Sequence, residues 1–363
     1  MARKHRILTL SLAIGAAGVV GVSLQIASAK PVETPSALWV TGYDYISEFH
    51  GMALKQSGKT VPNLEFGNKS LFNPESIAFD SDQNLWIAYE GTAKGPPVVI
   101  EISRGKLASL SGNSVNVKVK LRSKKNTDVP FVLPRSLAFD AADDLWVSDP
   151  GRNGVMELLP DQIKHSGAPT PTILISASNF IPQVIRFDTS DNLWVDEFQS
   201  TNPQQIWQFA PAARAASGTP NPGLVVNLPD GITPVDFAFD SSGDLWLAGS
   251  SFSVDTLEMI AADDLSGTGE ISPSAAVTIT SPAFGTLIGT GSCLGGIDFD
   301  VSGDLWVSVG ANNPNCDADT QIVEFTPGQL SSGGSLTPSL TINQNGAETN
   351  LYLPGPVRFG PKP

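Results

Sequence analysis

The sequence has few of the residues that most enzymes use for chemistry. It contains only three histidines and two cysteines, so most histidine-based zinc sites and Ser-His-Asp triads are ruled out. Basic residues are also scarce, with 22 Lys and Arg against 36 Asp and Glu and a net charge of −14. Because phosphate contacts need clustered Lys and Arg, we expect no nucleic-acid partner and no anionic membrane surface.

The N-terminus carries the signature of an exported protein. A basic start, MARKHR, precedes the apolar run ILTLSLAIGAAGVVGVSL and the small residues Ala27, Ser28 and Ala29. This order predicts a signal peptide over residues 1–29 that is cleaved, leaving a secreted or periplasmic protein over 30–363 with no membrane attachment. An uncleaved membrane anchor is the alternative, because the apolar run is close to the length at which a signal peptide and a membrane-spanning segment cannot be told apart. We expect the mature chain to be a monomer.

One phrase recurs along the mature chain. Five complete copies begin at Ser76, Ser136, Val184, Asp236 and Gly296, and the copy at Ser136 reads SLAFDAADDLWVSDPG. A sixth copy is divided, with ALWVTGYDY near the N-terminus and PVRFG near the C-terminus. Units that recur along a chain in this way are typical of propellers and solenoids. Because the sixth copy is divided, the two ends of the chain are predicted to build one unit together.

Each copy is followed by an alternating segment that ends in a turn, such as NGVMELLPDQIKHSG, and then by a short β-rich segment such as TPTILI. Each unit therefore holds four short strands, which is the pattern of a propeller blade. The sequence predicts an all-β, six-bladed β-propeller of four-stranded blades. The blades start near 76, 136, 184, 236 and 296, and residue 356 combines with 37–66 to close the ring.

The tryptophans follow the same repeat. One falls on the second strand of each blade, where we expect it to pack between blades, because repeated packing requires a large residue at a fixed place. These residues are Trp39, Trp86, Trp146, Trp194, Trp246 and Trp306. Stacking on a ligand is the alternative. Trp207 lies outside this register and is also predicted to belong to the core.

The repeated acidic residues resemble a metal site but are explained by turn chemistry. An Asp ends each first strand, at positions 80, 140, 188, 240 and 300, and a tight turn to the second strand follows. Such an Asp accepts backbone N–H bonds while Gly243, Gly303, Asp143 or Asp191 takes the left-handed position. The segment DSDQN at 80–84 resembles the opening of a calcium loop, but it lacks the following Gly and the later Glu.

In a propeller the loops before the first strand and after the second strand lie on the top face, so ligand-binding candidates are sought there. They form an acidic mouth suited to a cation or a polyhydroxylated ligand, and a solvated acidic rim is the alternative. The candidates are Tyr43, Glu75, Tyr89, Glu90, Arg135, Asp149, Gln183, Asp196, Glu197 and Asp236. His50 and His165 are expected on the bottom face, away from this mouth.

Three charged residues replace the repeat's Ala inside the channel, namely Arg186, Asp298 and Arg358. A buried charge needs a partner, so we expect structural ion pairs, with Asp298 beside Arg358 and Asp236 beside Arg186. The alternative is that they are catalytic groups. Cys293 and Cys316 fall in top-face loops of one blade, and in an exported chain they are predicted to form a disulfide.

The unit P-x-S-L-A-F-D-x-x-x-D-L-W-V resembles the NHL-type repeat, and the six-fold ring is similar to the propeller group that includes gluconolactonase-like hydrolases and streptogramin lyases. That resemblance implies a divalent cation in the channel, with Glu75 at the position of a metal-binding Glu. The matching positions hold Arg135, Gln183, Val235 and Gly295, and the top-face His of the lyases is missing.

Three functions therefore stay open, and the third is a purely extracellular scaffold. The first is an exported binding module without catalytic residues or a cofactor, whose top face binds a small ligand, a glycan or a protein. The second is a calcium-dependent hydrolase of the gluconolactonase type, a lactonase or esterase centred on Glu75.

Overall fold

The structure is a computed structural model of the full chain. Its description covers residues 8–14, 20–26, 36–42, 45–67, 73–91, 95–110, 112, 115–122, 130–198, 203–251, 254–285, 292–310, 320–343 and 355–363. The chain divides into two compact units, Met1–Thr34 and Pro35–Pro363. In the first, strands Leu8–Ile14 and Val20–Ile26 pair in antiparallel fashion. This pairing does not test the signal peptide, which stays a prediction.

The second unit is a six-bladed β-propeller, as predicted. In each blade four antiparallel strands follow one another from the channel outward. Blade 1 is the blade that the divided copy of the repeat builds, and the others are numbered in chain order. The strands are, for blade 1, Val357–Gly360, Ala37–Thr41, Tyr45–His50 and Leu64–Gly67; for blade 2, Pro74–Phe79, Leu85–Tyr89, Val98–Ile102 and Val119–Arg122; for blade 3, Ser136–Phe139, Leu145–Asp149, Gly154–Leu158 and Ile173–Ser176; for blade 4, Pro182–Phe187, Leu193–Glu197, Gln205–Phe209 and Leu224–Asn227; for blade 5, Thr233–Phe239, Leu245–Ser251, Val254–Ile260 and Val277–Thr280; for blade 6, Leu294–Phe299, Leu305–Val309, Gln321–Phe325 and Leu340–Asn343.

In the described ranges, helices are confined to single turns between these strands. The α-helical turns are Arg104–Leu107, Pro160–Ile163 and Pro327–Leu330, and the 3-10 turns are Gly51–Leu54, Pro150–Arg152, Pro229–Gly231, Ala262–Leu265 and Pro282–Phe284. Within the described ranges, no helix has the length and apolar character needed to cross a membrane.

The sheets contain one feature that the repeat did not predict. After the third strand of each blade, a Ser-Gly turn reaches back and pairs in parallel with the outermost strand of the preceding blade. In three places this pairing is long enough to count as a fifth strand, at Gly269–Ile271, Gly334–Ser335 and Gly58–Lys59. In the other three it is a single bridge, from Gly112, Gly167 and Gly218.

The bridge at Gly167 shows how this turn works. Its N–H donates to the carbonyl of Lys120 at 3.1 Å, and its own carbonyl accepts from the N–H of Arg122 at 3.0 Å. The Ser166 hydroxyl oxygen accepts from the N–H of Lys120 at 3.0 Å. An outer strand would otherwise expose these groups as an open edge, so each blade covers the edge of the one before it.

The tryptophans pack between blades, as predicted. All six are buried, and each ring meets the Phe on the first strand of the next blade at a centroid distance of 5.2 to 6.2 Å. The pairs are Trp39–Phe79, Trp86–Phe139, Trp146–Phe187, Trp194–Phe239, Trp246–Phe299 and Trp306–Phe359. Trp207 is only partly buried and stacks on Phe180 at 5.2 Å.

The ring closes through the divided blade. Val357–Gly360 is its innermost strand and pairs with Ala37–Thr41, with Arg358 opposite Trp39. The Trp39 indole N–H donates to the carbonyl of Pro361 at 3.0 Å, and Phe359 packs against Trp306 of blade 6. The last residues of the chain therefore connect the first and last blades.

Candidate functional site

The repeated Asp residues build turns, as the sequence indicates. Asp140 Oδ1 accepts the N–H groups of Ala142 and Asp144 at 3.0 Å, and Asp143 adopts a left-handed conformation with φ of 67°. Asp140 Oδ2 accepts from the Trp146 indole N–H at 3.0 Å. The Asp thus fixes the turn and also orients the tryptophan that packs between blades.

The channel charges form one buried network centred on Asp236, which is 1% exposed. Arg186 Nη2 lies 2.9 Å from Asp236 Oδ1, and Arg358 Nη1 lies 3.1 Å from Asp236 Oδ2. Burial favours the neutral acid, but the two guanidinium groups outweigh it and hold the pKa of Asp236 below its usual value. The network joins blades 1, 4 and 5 across the channel.

Asp298 does not make the expected ion pair with Arg358. Its Oδ2 accepts the N–H of Phe359 at 2.7 Å, and its Oδ1 lies 4.0 Å from Arg186. Arg358 turns to Asp236 instead, because that carboxylate has both oxygens within reach of the two arginines. Burial raises the pKa of Asp298, against the opposing effect of both arginines.

Glu75 lies at the start of the first strand of blade 2 and is paired with the next blade. Arg135 Nη1 is 2.6 Å from Glu75 Oε2, and the Asn73 amide donates to Oε1. Burial raises the pKa of Glu75 to about 7, Arg135 opposes this shift, and Glu90 adds to it.

These contacts do not fit a calcium ion on Glu75. A calcium ligand needs free oxygens and a surplus of negative charge, whereas both oxygens of Glu75 already accept hydrogen bonds and a guanidinium lies beside it. The corresponding positions on blades 3 and 4 supply Arg135 and Gln183, which add no carboxylate. The geometry is that of a donor and acceptor pair at the channel mouth.

Two of the residues predicted to bind a ligand at the channel mouth, Asp149 and Tyr89, have structural roles. The Asp149 side chain is fully buried, and its oxygens accept the N–H groups of Val132 and Leu133 at 2.7 and 2.9 Å, so it holds the loop before blade 3. Burial raises the pKa of Asp149. Tyr89 is 4% exposed within the apolar core between blades 1 and 2, and burial raises the pKa of its hydroxyl.

Asp196 and Glu197 end the second strand of blade 4, and both are buried, with 4% and 2% exposure. Glu197 Oε2 accepts the N–H of Ile181 at 2.9 Å, and burial raises the pKa of Glu197 to about 7. No described residue donates a hydrogen bond to the Asp196 carboxylate. Burial, Glu197 and Asp236 raise the pKa of Asp196 well above its usual value.

The remaining candidates are placed as follows. The Gln183 side chain is partly exposed and lies 3.4 Å from the carbonyl of Ile181. Glu90 is partly buried beside Glu75. Tyr43 lies outside the described residues. Cys293 is buried, but Cys316 also lies outside them, so the disulfide stays a prediction.

Sequence reasoning missed two side chains that the structure places at charged sites. Asn73 holds Glu75, and Arg214 contacts both Asp140 and Asp191 while stacking at 5.0 Å on Trp146. Asn73 lies just before the repeated phrase, and nothing in the repeat marks that position as functional. Arg214 could have been noticed, because it is a lone basic residue in the loop AARAASG after the third strand of blade 4.

The comparisons with known proteins support the architecture. No family model matches the sequence, and no curated protein matches it either. A protein of unknown function from Bacteroides caccae is 11% identical with a TM-score of 0.58, over 89% of this chain and 98% of that one. The PQQ-bound aldose sugar dehydrogenase of Streptomyces coelicolor is 15% identical with a TM-score of 0.50, over 79% and 90%.

A virginiamycin B lyase from Staphylococcus aureus is 14% identical with a TM-score of 0.45, over 81% of this chain and 82% of that one. At these identities the likeness concerns the fold alone. The strand order within the sheets defines the class of this protein, which is the six-bladed β-propeller.

Proposed function

We propose that this propeller is an exported binding module whose channel mouth takes a polyhydroxylated small molecule, such as a sugar. The observation that carries the proposal is Asp196, a carboxylate that is 4% exposed and receives no hydrogen bond from any described residue. A buried acceptor without a donor is costly, and the donor is then best supplied by a ligand.

The neighbouring groups suit hydroxyls. Along blades 2 to 4 the mouth offers the guanidinium of Arg135, the amide of Gln183 and the carboxyl of Glu75. Each sugar hydroxyl both donates and accepts hydrogen bonds, so a mixed set of donors and acceptors is complementary to it. The buried network around Asp236 lies in the channel next to Asp196, and its arginines are already engaged.

The alternative, a calcium-dependent lactonase or esterase centred on Glu75, has less support. Its metal would have to displace Arg135 and Asn73 from the Glu75 carboxylate. Cleavage of a signal at residues 1–29, secretion and a Cys293–Cys316 disulfide belong to the same proposal of an exported protein, and they rest on the sequence.

The test is a thermal-shift and calorimetric screen of the wild-type protein against free monosaccharides and polyols, because a ligand of the folded state raises Tm. Asp196→Leu keeps the branched shape of the side chain and removes the acceptor oxygens. We expect it to melt at a higher temperature without ligand, because an unpaired buried carboxylate is lost, and to show no ligand-dependent shift.

Asp304→Asn is the matched control, because Asn84 and Asn192 occupy the same turn position in other blades. It is expected to respond to ligand as the wild type does. A panel without any stabilising sugar or polyol, or an Asp196→Leu variant that still responds, would contradict the proposal. Ester or lactone hydrolysis that depends on calcium and is lost in Glu75→Gln would favour the alternative.

A further inference from the structure

The six blades differ at one place on the bottom face, behind the repeated turns. In the blades with the repeated Asp, two residues lie there: the third-strand residue opposite the interblade tryptophan and the turn residue four positions after that Asp. The third-strand residues are Glu48, Glu101, Glu157, Gln208, Met259 and Glu324. In blade 3 the site is made of Asp140, Asp144 and Glu157, each of which contributes one carboxylate oxygen that lies within 4.8 Å of the other two.

Other blades give the third-strand carboxylate a partner. In blade 2, Lys118 Nζ lies 2.7 Å from Glu101 Oε1, and in blade 6 the Ser339 hydroxyl donates to Glu324 Oε2 at 2.6 Å. Blade 4 has the neutral Gln208 at this place. Glu157 of blade 3 is 6% exposed and receives no hydrogen bond from any described residue, although its carboxylate faces two others.

The turn residue of blade 3 also lacks its donor, and the sequence shows why. In blade 5 the N–H of Ala262, the first residue of the helical turn, donates to Asp244 Oδ1 at 2.7 Å, and Arg104 does the same for Asn84 in blade 2 at 2.9 Å. The corresponding residue of blade 3 is Pro160, which has no N–H. No described group donates to the Asp144 carboxylate.

Asp140 is different, because its oxygens are engaged by the turn, by Trp146 and by Arg214. Among the described residues, Arg214 is the cation that acts on the cluster, and its second nitrogen is bound to Asp191. Two carboxylates, Asp144 and Glu157, thus have no donor in the part of the chain that the structure describes, and Glu157 is buried.

We propose that Asp144 and Glu157 bind a divalent cation of the calcium type on the bottom face of blade 3, with Asp140 as the third carboxylate of the site. Calcium is bound by oxygen ligands at about 2.3–2.6 Å, so ligand oxygens around one ion lie within about 5 Å of one another. One oxygen from each of the three carboxylates meets that limit, and water would complete the coordination. The ion would connect the first hairpin of the blade to its third strand, and its role is structural.

Terbium luminescence tests this site directly, because Trp146 lies next to it, with its indole nitrogen 3.0 Å from Asp140 Oδ2. Terbium replaces calcium on oxygen ligands and emits when a nearby tryptophan is excited. We expect saturable emission from the wild-type protein that is displaced by calcium, together with a calcium-dependent rise in Tm.

Glu157→Gln is expected to weaken terbium and calcium binding by roughly tenfold or more, because affinity follows the number of charged ligands. Gln208 shows that the fold accepts this residue at the equivalent place, and Asp144→Asn, which imitates Asn84 and Asn192, is a second variant with the same expected loss. Glu324→Gln in blade 6 is the matched control and is expected to leave binding unchanged. Pro160→Ala restores the missing N–H, which then competes for Asp144, so a weaker ion affinity is expected.

Equal terbium emission in the wild type and Glu157→Gln would overturn the proposal. So would the absence of saturable binding in the folded wild type, which would mean that the two carboxyls share only a proton. Glu75→Gln is expected to leave the emission unchanged, so this site and a calcium ion on Glu75 are distinguishable.

Discussion

The two faces of the propeller follow opposite rules. On the bottom face the first-to-second-strand turn is almost the same in five blades, with an Asp that caps the turn and a buried tryptophan behind it. At the mouth the blades present different residues, including Glu75, Arg135 and Gln183 at one equivalent position. Repetition therefore marks what holds the ring together, and divergence marks where a ligand would be chosen.

The largest effect is expected from the repeated core. Trp146→Ala removes a fully buried indole that packs on Phe187 and donates to Asp140, and we expect a loss of about 4 kcal/mol in the free energy of unfolding. Urea unfolding measures it. Trp207→Ala, at a partly exposed ring outside the register, is the comparison, and an equal loss there would show that the repeat is not what stabilises the ring.

The channel network comes next. Asp236→Asn leaves Arg186 and Arg358 buried without a full counter-charge, and a loss of about 3 kcal/mol is expected by urea unfolding. Asp298→Asn is the matched control and is expected to cost less, because its main contact is one backbone N–H. The reverse order would mean that Asp298 carries the network.

A smaller, pH-dependent effect is expected at Glu197, whose pKa is raised by burial from 4.5 to about 7. The unfolded state ionises first as the pH rises, so the native protein loses stability between about pH 4.5 and 7. Glu197→Gln keeps an acceptor for Ile181 and removes this loss. We expect the variant to gain about 2 kcal/mol over the wild type between pH 4 and pH 8.

Urea unfolding of both proteins at several pH values checks this prediction. A difference between them that does not change with pH would contradict it. Glu270→Gln, at an exposed carboxylate, serves as the control and is expected to show no such trend.

The smallest effect on stability is expected at the mouth. Glu75→Gln and Arg135→Gln disrupt a pair whose arginine is 38% exposed, so each is expected to change the unfolding free energy by about 1 kcal/mol or less. Binding of the sugar or polyol found in the screen is expected to weaken in both variants, as calorimetry would show. A large stability loss with unchanged binding would assign this pair to the fold instead of the site.

The sequence was sufficient for the fold because the same phrase appears in every blade. The aromatic of SLAFD, the Asp turn and the buried tryptophan each have a local cause that is visible in the letters. The Ser-Gly turns were also visible, but their pairing with the preceding blade was not, because it depends on how two blades lie side by side. A parallel bridge of one residue leaves no periodic signal.

The site could be predicted only in part, because exposure at the mouth depends on packing. Asp149 and Tyr89 lie at the end of a second strand, as Asp196 does, yet Asp149 binds a loop through two backbone N–H groups and Tyr89 fills the core. Asp236 pairs with two arginines from different blades, which are distant in sequence. Such contacts are created by the ring and are not encoded in any one repeat.

The Ser-Gly turns also bear on how copies of this protein meet one another. A turn such as Ser166-Gly167 occupies the N–H and carbonyl groups through which a foreign strand would join the sheet. Replacing Gly167 with proline would free that edge in one blade while leaving the Trp146 packing in place. The propeller would then have one exposed sheet edge that can pair with another copy. Dimers, rather than unfolded chains, would be the first species to accumulate.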